Sequence, residues 1–320
     1  MLGSAALATI AETLRSSRSF AAKADIATAA ARLGLSGASA IAVGDDCAAI
    51  PDGDGFLLLA IEGFISAFVA ADPWFAGWCG VMVNISDVAA MGGRPVAVVD
   101  ALWAPGDACD PILDGLRDAS AAFGVPIVGG HTNLRTDTQQ LSVAILGRAQ
   151  RLLTSFDAAP GDRLVAAIDL RGRYREPFPN WEAATDAPAH RLRGDIELLP
   201  LIAEAGLSKA GKDISQAGLV GTAMMLAECS RVGLSIDLAG VPRPEGVPLD
   251  RWLLSFPSFG YILAVPPFHV DDVVGRFTAR GIAAADVGAV TAGSVVEILD
   301  GSARETVWDF ARQPLIGCAA

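Results

Sequence analysis

The stretch "VNISDVAAMGGRPVAVVDAL", residues 83–102, contains both kinds of element from which the chain is built. Its first half continues an apolar run that begins at an Asp-Pro pair at 72–73, a pair typical of a helix start, and the Gly-Gly pair at 92–93 ends that run. Its second half is an almost unbroken apolar segment of strand length. The stretch therefore predicts a hydrophobic helix followed closely by a strand over 94–103.

Similar patterns predict alternating helices and strands along the rest of the chain. The run "GFLLLAIEGF" at 55–64 is typical of a buried strand that ends in the acid Glu62. The segment Arg171–Arg193 has no period and is predicted to be a loop or an inserted arm. Further helices are predicted over about 5–33, 110–123, 195–206, 216–232 and 269–280, and further strands at 125–130, 141–149, 163–172, 234–238, 259–265 and 287–291.

The composition favours a two-domain protein. The chain has 320 residues, of which 52% are hydrophobic, enough for two domains of roughly 150 residues each. We place the domains at 1–150 and 151–320 because the turn "DAAPGD" at 157–162 separates two strands. The net charge of −12 argues against a nucleic-acid partner. Widely spaced cysteines without a Cys-x-x-Cys pair, and the absence of a signal-peptide or membrane-spanning pattern, predict a cytoplasmic protein without a membrane partner.

An acid-rich window without cations precedes the central stretch. No lysine or arginine occurs between Arg32 and Arg94. Some acids of this window belong in solvated turns or a helix cap, but four others adjoin apolar sequence: Asp45, Asp46, Glu62 and Asp87. Hard oxygen ligands without a nearby basic partner suit Mg²⁺. The alternative is a set of ordinary polar loop ends that are unrelated in space.

Four motifs, taken together, resemble the PurM-like ATP-binding superfamily. This superfamily includes aminoimidazole ribonucleotide (AIR) synthase, thiamine-monophosphate kinase, selenophosphate synthetase and the hydrogenase maturation dehydratase. The chain is most similar to the AIR synthase-related branch. The motifs that carry the resemblance are "GDDCAAI" (44–50), the stretch at 83–102, "GVPIVGGHT" (124–132) and "KDISQAGLVGTAMMLAECSRVGLSIDL" (212–238).

The resemblance implies a fold, a ligand and a partner. It implies a two-domain PurM-like α/β fold whose N-terminal mixed sheet forms a barrel-like interface with a second copy, giving a homodimer. ATP would lie between the domains, its phosphates held through Mg²⁺. The motif positions assign the metal to Asp45, Asp46, Glu62 and Asp87, and the nucleotide to Gly44, Asp45, Asn84, Gly129, Gly130, Thr132 and Ser215.

Three positions depart from the superfamily pattern. Glu62 replaces an aspartate of the kinase branch, His131 replaces the aspartate of the GG turn, and Gln216 replaces the acid of the DISDG motif. With two carboxylates fewer, we expect fewer metal ions and no thiamine-monophosphate kinase activity. His131 could serve as a ligand or as an acid or base near neutral pH, or it could be structural.

A second group of candidates lies at the start of the fourth motif. Lys212, Ser215 and Gln216 are expected to approach the acceptor, although a solvated lysine and a helix-capping serine are the simpler interpretations. "GLSKAGKD" (206–213) nearly matches a phosphate-binding loop, but Asp213 stands where that motif requires Ser or Thr. We therefore reject it as a nucleotide motif.

These observations favour a Mg²⁺-dependent ATP-binding enzyme. It would transfer or cleave the γ-phosphate of ATP onto a small-molecule acceptor that the sequence does not identify, with His131, Lys212 and Gln216 as candidate catalytic residues. The chemistry would consist mainly of positioning and charge neutralisation. The alternative is a homologue that binds a nucleotide or metabolite without turnover and acts as a regulatory or scaffolding subunit.

Overall fold

The computed structural model describes residues 3–23, 25–34 and 42–317, which form two compact units. The five-strand unit comprises Asp46–Arg151 and Ala184–Leu201. The seven-strand unit comprises the described residues up to Asp45, Leu152–Ala183 and the described residues from Ile202 onward. The continuous domains 1–150 and 151–320 stay a prediction. Each compact unit contains segments from both halves of the chain. A division of the chain at a single residue therefore does not reproduce these two units.

Helices and strands are numbered in chain order through the described residues. The helices are α1 Ser4–Arg15, α2 Arg18–Lys23, α3 Asp25–Leu33, α4 Ser66–Ala71, α5 Pro73–Ala90, α6 Asp110–Phe123, α7 Ala189–Ile196, α8 Leu198–Glu204, α9 Gly218–Ser230, α10 Leu249–Leu253 and α11 Val270–Thr278. The strands are β1 Ala48–Asp52, β2 Gly55–Phe64, β3 Arg94–Trp103, β4 Ile127–Asn133, β5 Gln140–Ala149, β6 Arg163–Ile168, β7 Arg173–Tyr174, β8 Asn180–Glu182, β9 Ala210–Asp213, β10 Gly233–Asp237, β11 Phe256–Pro257, β12 Gly260–Val265, β13 Ala283–Thr291, β14 Val295–Asp300 and β15 Ala303–Asp309.

The five-strand unit is a mixed sheet with helices on one face. The strand order is β1-β2-β5-β3-β4, and only the β3-β4 pair is parallel. Helix α5 packs on β2, β3 and β5, and α6 packs on α5. The prediction that residues 55–64 form a fully buried strand is wrong for one face, because Leu58 is fully buried whereas Ile61 is 68% exposed. Helices of this unit cover only the face that bears Leu58.

The seven-strand unit has a larger sheet and a helical core. Its strand order is β15-β14-β10-β13-β6-β12-β9. Helices α1 and α9 contribute buried side chains to the same apolar core as this sheet, among them Leu7, Leu14 and Met224. Of the two alternatives for the segment 171–193, the irregular loop is wrong, because β7 and β8 pair within it and β11 extends them to a three-stranded sheet. The alternative of an inserted arm stays a prediction.

The N-terminal helix predicted over 5–33 is wrong as one element. Helix α1 ends at Arg15, where the hydroxyl of Ser16 donates to the carbonyl of Glu12 at 2.8 Å. The hydroxyl of Ser17 then accepts the N–H of Phe20 at 3.3 Å and opens α2. Hydroxyl side chains compete with the helix backbone for its own hydrogen bonds, so two consecutive serines separate the helices. Position 24, between α2 and α3, lies outside the described residues.

The ends of the central elements agree with their local chemistry. The Oδ1 atom of Asp72 accepts the N–H of Phe75 at 3.3 Å, so Asp72 caps α5 and Pro73 follows as its first residue. Helix α6 ends at Gly124, whose φ of 74° is left-handed, and β3 spans the predicted 94–103. The helix expected over 195–206 is instead α7 and α8, and that over 216–232 is the shorter α9. Across the described ranges, no helix combines the length and apolar character that a membrane span needs.

Candidate functional site

Asp46 and Asp87 form a close carboxylate pair in the five-strand unit. Asp87 lies on α5 and is only 7% exposed, and Asp46 is partly buried in the turn before β1. Their carboxylate oxygens lie within 4.8 Å of one another. Two carboxylates at this separation repel each other, and a shared cation relieves that repulsion. Because Mg²⁺ is usually held by one or two carboxylates together with substrate phosphates, this pair fits the metal that the sequence predicts.

Asp45 and Glu62 are not part of that close pair. The Oδ2 atom of Asp45 accepts the N–H of Ser155 at 2.9 Å, and its Oδ1 accepts the Ser155 hydroxyl at 2.7 Å. Asp45 therefore organises a turn of the seven-strand unit. Glu62 is exposed on β2, near the end of the strand as the sequence predicts. The metal roles of Asp45 and Glu62 stay predictions.

Asn84 joins α5 to the sheet beneath it. The residue is fully buried, and its Nδ2 atom donates to the carbonyl of Gly80 at 2.8 Å and to the carbonyl of Val143 at 3.0 Å. Both amide protons are thereby used, and the amide plane is fixed. Among the described residues, its Oδ1 atom has no hydrogen-bond donor. Asn84 thus holds α5 in place one turn before Asp87, as a positioning residue would.

The segment with Gly129 and Gly130 is a strand rather than the turn expected from the motif. Both glycines, His131 and Thr132 lie on β4, and all four are exposed in the described chain. The His131 ring lies 5.7 Å from the ring of Trp103, centroid to centroid. The nucleotide role of the two glycines and Thr132, and the catalytic role of His131, stay predictions.

Asp100 is a candidate that the sequence analysis missed. It lies beside Gly130, where an added Cβ atom would come within 2.7 Å of the Asp100 Oδ2 atom. The strand register also places Asp100 and Glu62 on either side of Val143 in one cross-strand row. Burial raises the pKa of Asp100 above its ordinary value, and a hydrogen bond with its own backbone lowers the pKa less strongly. The sequence does contain a signal for this residue, since Asp100 is the one acid inside the apolar run 94–103. Burying a carboxylate in an apolar strand costs free energy, so an acid at such a position indicates a functional role.

The remaining candidates lie on or beside the loop that joins β9 to α9. Lys212 is on β9 and is 5% exposed, so the simpler interpretation of a solvated lysine is wrong. Ser215 does not cap α9, because the residue at the cap position is Ala217. The hydroxyl of Ser215 instead accepts a hydrogen bond from the Nζ atom of Lys23 at 3.3 Å. Gln216 is exposed, and Gly44, just before Asp45, has a φ of 133°. Their substrate roles stay predictions.

Known proteins share both the sequence and the fold. Residues 44–149 match the family described as AIR synthase related protein, N-terminal domain, and residues 181–301 match the corresponding C-terminal domain. An uncharacterized protein of Synechocystis sp. is 49% identical over 280 residues, which cover 87% of each chain. The thiamine-monophosphate kinase of Halobacterium salinarum is 29% identical over 273 residues, 78% of this chain and 92% of the kinase.

The fold is shared with a solved ATP complex. T. maritima PurL complexed with ATP superposes with a TM-score of 0.72 at 22% identity, over 85% of this chain and 46% of PurL. At this identity the superposition shows the fold alone, and this chain spans less than half of PurL. Both domains of the family match in order and cover most of the sequence. The chain therefore belongs to the AIR synthase related family and has its mixed α/β, PurM-like fold.

Proposed function

We propose that this protein is a Mg²⁺-dependent enzyme that uses ATP to transfer its γ-phosphate to, or cleave it onto, a small-molecule acceptor. The close pair of Asp46 and Asp87 carries the proposal, because it provides two oxygen ligands within 4.8 Å of each other. The names of the relatives support it: one is a thiamine-monophosphate kinase, and a protein with this fold has been solved with ATP. The Gln216 and His131 substitutions argue for an acceptor other than thiamine monophosphate.

The chain's own groups divide into binding and positioning roles. Asp46 and Asp87 would hold the cation, with Glu62 on β2 and Asp100 on β3 as further acids on either side of β5. When bound, Mg²⁺ would neutralise the charge of the phosphate oxygens. Asn84 fixes α5 and thereby the position of Asp87. Phosphate oxygens would be received by the backbone at Gly129, where an added Cβ atom would meet nothing closer than 3.9 Å, so that the absence of a side chain allows close approach.

The test is the Mg²⁺ dependence of ATP binding in variants of the pair. Asp46→Asn and Asp87→Asn keep the size of the side chain and remove its charge. Titration calorimetry with ATP, with Mg²⁺ or with EDTA, should show tight binding by the wild type only when Mg²⁺ is present. Each variant should lose at least about tenfold in affinity, or about 1.4 kcal/mol, with Mg²⁺.

Asp54→Asn is the matched control. Its side chain is 95% exposed in the turn after β1, so the change should leave Mg²⁺-dependent binding unaltered. The proposal would be contradicted if the wild type bound ATP equally well with and without Mg²⁺. It would also be contradicted if the two Asn variants of the pair bound ATP as tightly as the control. Turnover is measured as ADP release with a panel of metabolite acceptors. Binding without ADP release from any acceptor would favour the second candidate, a non-catalytic nucleotide-binding homologue, which the loss of acids at His131 and Gln216 supports.

A further inference from the structure

Lysine is rare in this chain, and one lysine contacts a loop that is distant from it in sequence. The sequence has 24 basic residues, and all of them except Lys23, Lys209 and Lys212 are arginine. Lys209 and Lys212 come directly before the loop from Ile214 to Ala217. Lys23 is distant in sequence, yet its Nζ atom donates a hydrogen bond to the hydroxyl of Ser215 in that loop. The fold of the seven-strand unit therefore brings Lys23 to the loop that follows Lys209 and Lys212 in the sequence.

The position of Lys23 is fixed by the packing of α2. Phe20, one turn earlier on the same helix face, is 3% exposed and belongs to the apolar core of the seven-strand unit. It packs against Gly221 of α9, where an added Cβ atom would lie only 2.8 Å from the Phe20 ring. The missing side chain at Gly221 thus lets α2 approach α9. Anchored in this way, α2 holds Lys23 at the loop.

The chemistry of this contact suits an anion. An ammonium group has three protons to donate and accepts none, and a serine hydroxyl can donate its own proton while accepting one from lysine. Lys23 and Ser215 can therefore both donate to one oxyanion. A lysine in the last helical turn also interacts favourably with the helix dipole, but that effect does not require a hydrogen bond to a residue 192 positions away. In a chain with a net charge of −12, a local cation is also needed to attract an anionic substrate.

We propose that Lys23 is part of the acceptor site and binds an oxyanion group of the acceptor, a carboxylate or a phosphate, beside Ser215. The proposal rests on the proposed ATP-dependent function, since the acceptor is the second substrate of that reaction. It adds a residue from the N-terminal helical segment to Ser215 and Gln216, and it defines the acceptor as an anionic metabolite. Neutral metabolites would then be poor substrates.

The test is a calorimetric titration of anions into the protein. The protein is first saturated with Mg²⁺ and a non-hydrolysable ATP analogue. The probes are inorganic phosphate and acetate, titrated separately to distinguish the two kinds of oxyanion. Lys23→Met removes the charge at similar length and should weaken binding of the preferred anion at least about tenfold, or about 1.4 kcal/mol. Lys23→Arg keeps the charge and should retain most of the affinity for the anion.

Lys209→Met is the matched control, because Lys209 is exposed and its loss removes the same charge three residues before Lys212. It should bind the anion like the wild type. The inference is overturned if the wild type binds neither anion, if Lys23→Met binds as tightly as Lys209→Met, or if Lys23→Met loses affinity for the ATP analogue instead. A wild type that does not bind Mg²⁺ and the analogue would overturn the proposed function, and that outcome is measured before any anion is added.

Discussion

Glu228 on α9 is a buried carboxylate with a structural role. It is 2% exposed and accepts three backbone N–H groups, from Leu315 at 3.0 Å, Ile316 at 2.7 Å and Gly317 at 3.1 Å. Backbone donors satisfy the oxygens of a buried carboxylate, whose burial without hydrogen bonds would be costly. Leu315 and Ile316 are themselves buried in the apolar core. Glu228 therefore ties the end of the described chain to α9.

The residue-scale prediction is that Glu228→Gln loosens this segment. A neutral amide offers one acceptor oxygen to three N–H groups, so at least one donor loses its partner. We expect the free energy of unfolding of the seven-strand unit to fall by about 1–3 kcal/mol. Hydrogen exchange measured by mass spectrometry should become faster at residues 315–317. Glu12→Gln is the control, because Glu12 forms an exposed ion pair with Arg15 worth at most about 1 kcal/mol. Equal effects of the two changes would refute this role of Glu228.

At the scale of elements, α5 and α6 approach closely through two glycines. An added Cβ atom at Gly77 of α5 would lie 2.1 Å from the carbonyl oxygen of Ile112, and one at Gly115 of α6 would lie 1.9 Å from that of Trp74. Neither position can accept a methyl group unless the helix backbones separate. Helix α5 carries both Asn84 and Asp87, so the spacing of these helices also supports the carboxylate pair.

We predict that Gly115→Ala destabilises the five-strand unit by about 1–3 kcal/mol, although alanine is the better helix former. Chemical denaturation followed by circular dichroism measures the change. Gly275→Ala is the control in another helix, α11, where an added Cβ atom meets nothing within 4 Å. That change should stabilise the protein by about 0.5–1 kcal/mol, the gain for alanine over glycine in an unhindered helix. Stabilisation by both substitutions would show that α5 and α6 are not in close contact.

At the scale of the whole molecule, the five-strand sheet has one apolar face that its own helices do not cover. The register aligns Ile61 with Ala144 and Val99 across three strands, and aligns Leu59 with Leu146 in the next outward row. Ile61 is 68% exposed, Leu59 48% and Val99 41%. Contiguous exposed apolar surface of this kind marks interaction sites in folded proteins. The resemblance to PurM-like proteins predicts that a second copy of the chain covers it.

We therefore predict a homodimer in solution that Ile61→Asp converts to a monomer. A carboxylate at this position would be buried without a partner in the dimer, at a cost of several kcal/mol. Light scattering coupled to size-exclusion chromatography measures the mass of each variant. Phe268→Asp is the control, since Phe268 is an 80% exposed apolar residue that belongs to the seven-strand unit and not to this sheet. A monomeric wild type, or a dimeric Ile61→Asp variant, would refute the prediction.

Local chemistry accounts for the elements that were predicted well. The cap at Asp72, the left-handed Gly124 and the strand over 94–103 each depend on neighbours in sequence, so a linear pattern contains the information. The motifs also identified the family, which the matches to both of its domains confirm. The sequence alone therefore determined the fold class, the family and the boundaries of the central elements α5, β3 and α6.

Only the tertiary structure decided which candidate residues meet. The sequence predicted that four acids of one window bind a metal together. In the structure, Asp46 lies close to Asp87, whereas Asp45 accepts hydrogen bonds from Ser155. The side chain of Lys23 reaches Ser215, and Asp100 flanks Gly130 through strand pairing. Contacts between residues far apart in the chain depend on helix packing and strand register, and neither can be derived from local sequence. The physical reason is that residue types and spacing specify elements, whereas packing of those elements specifies the site.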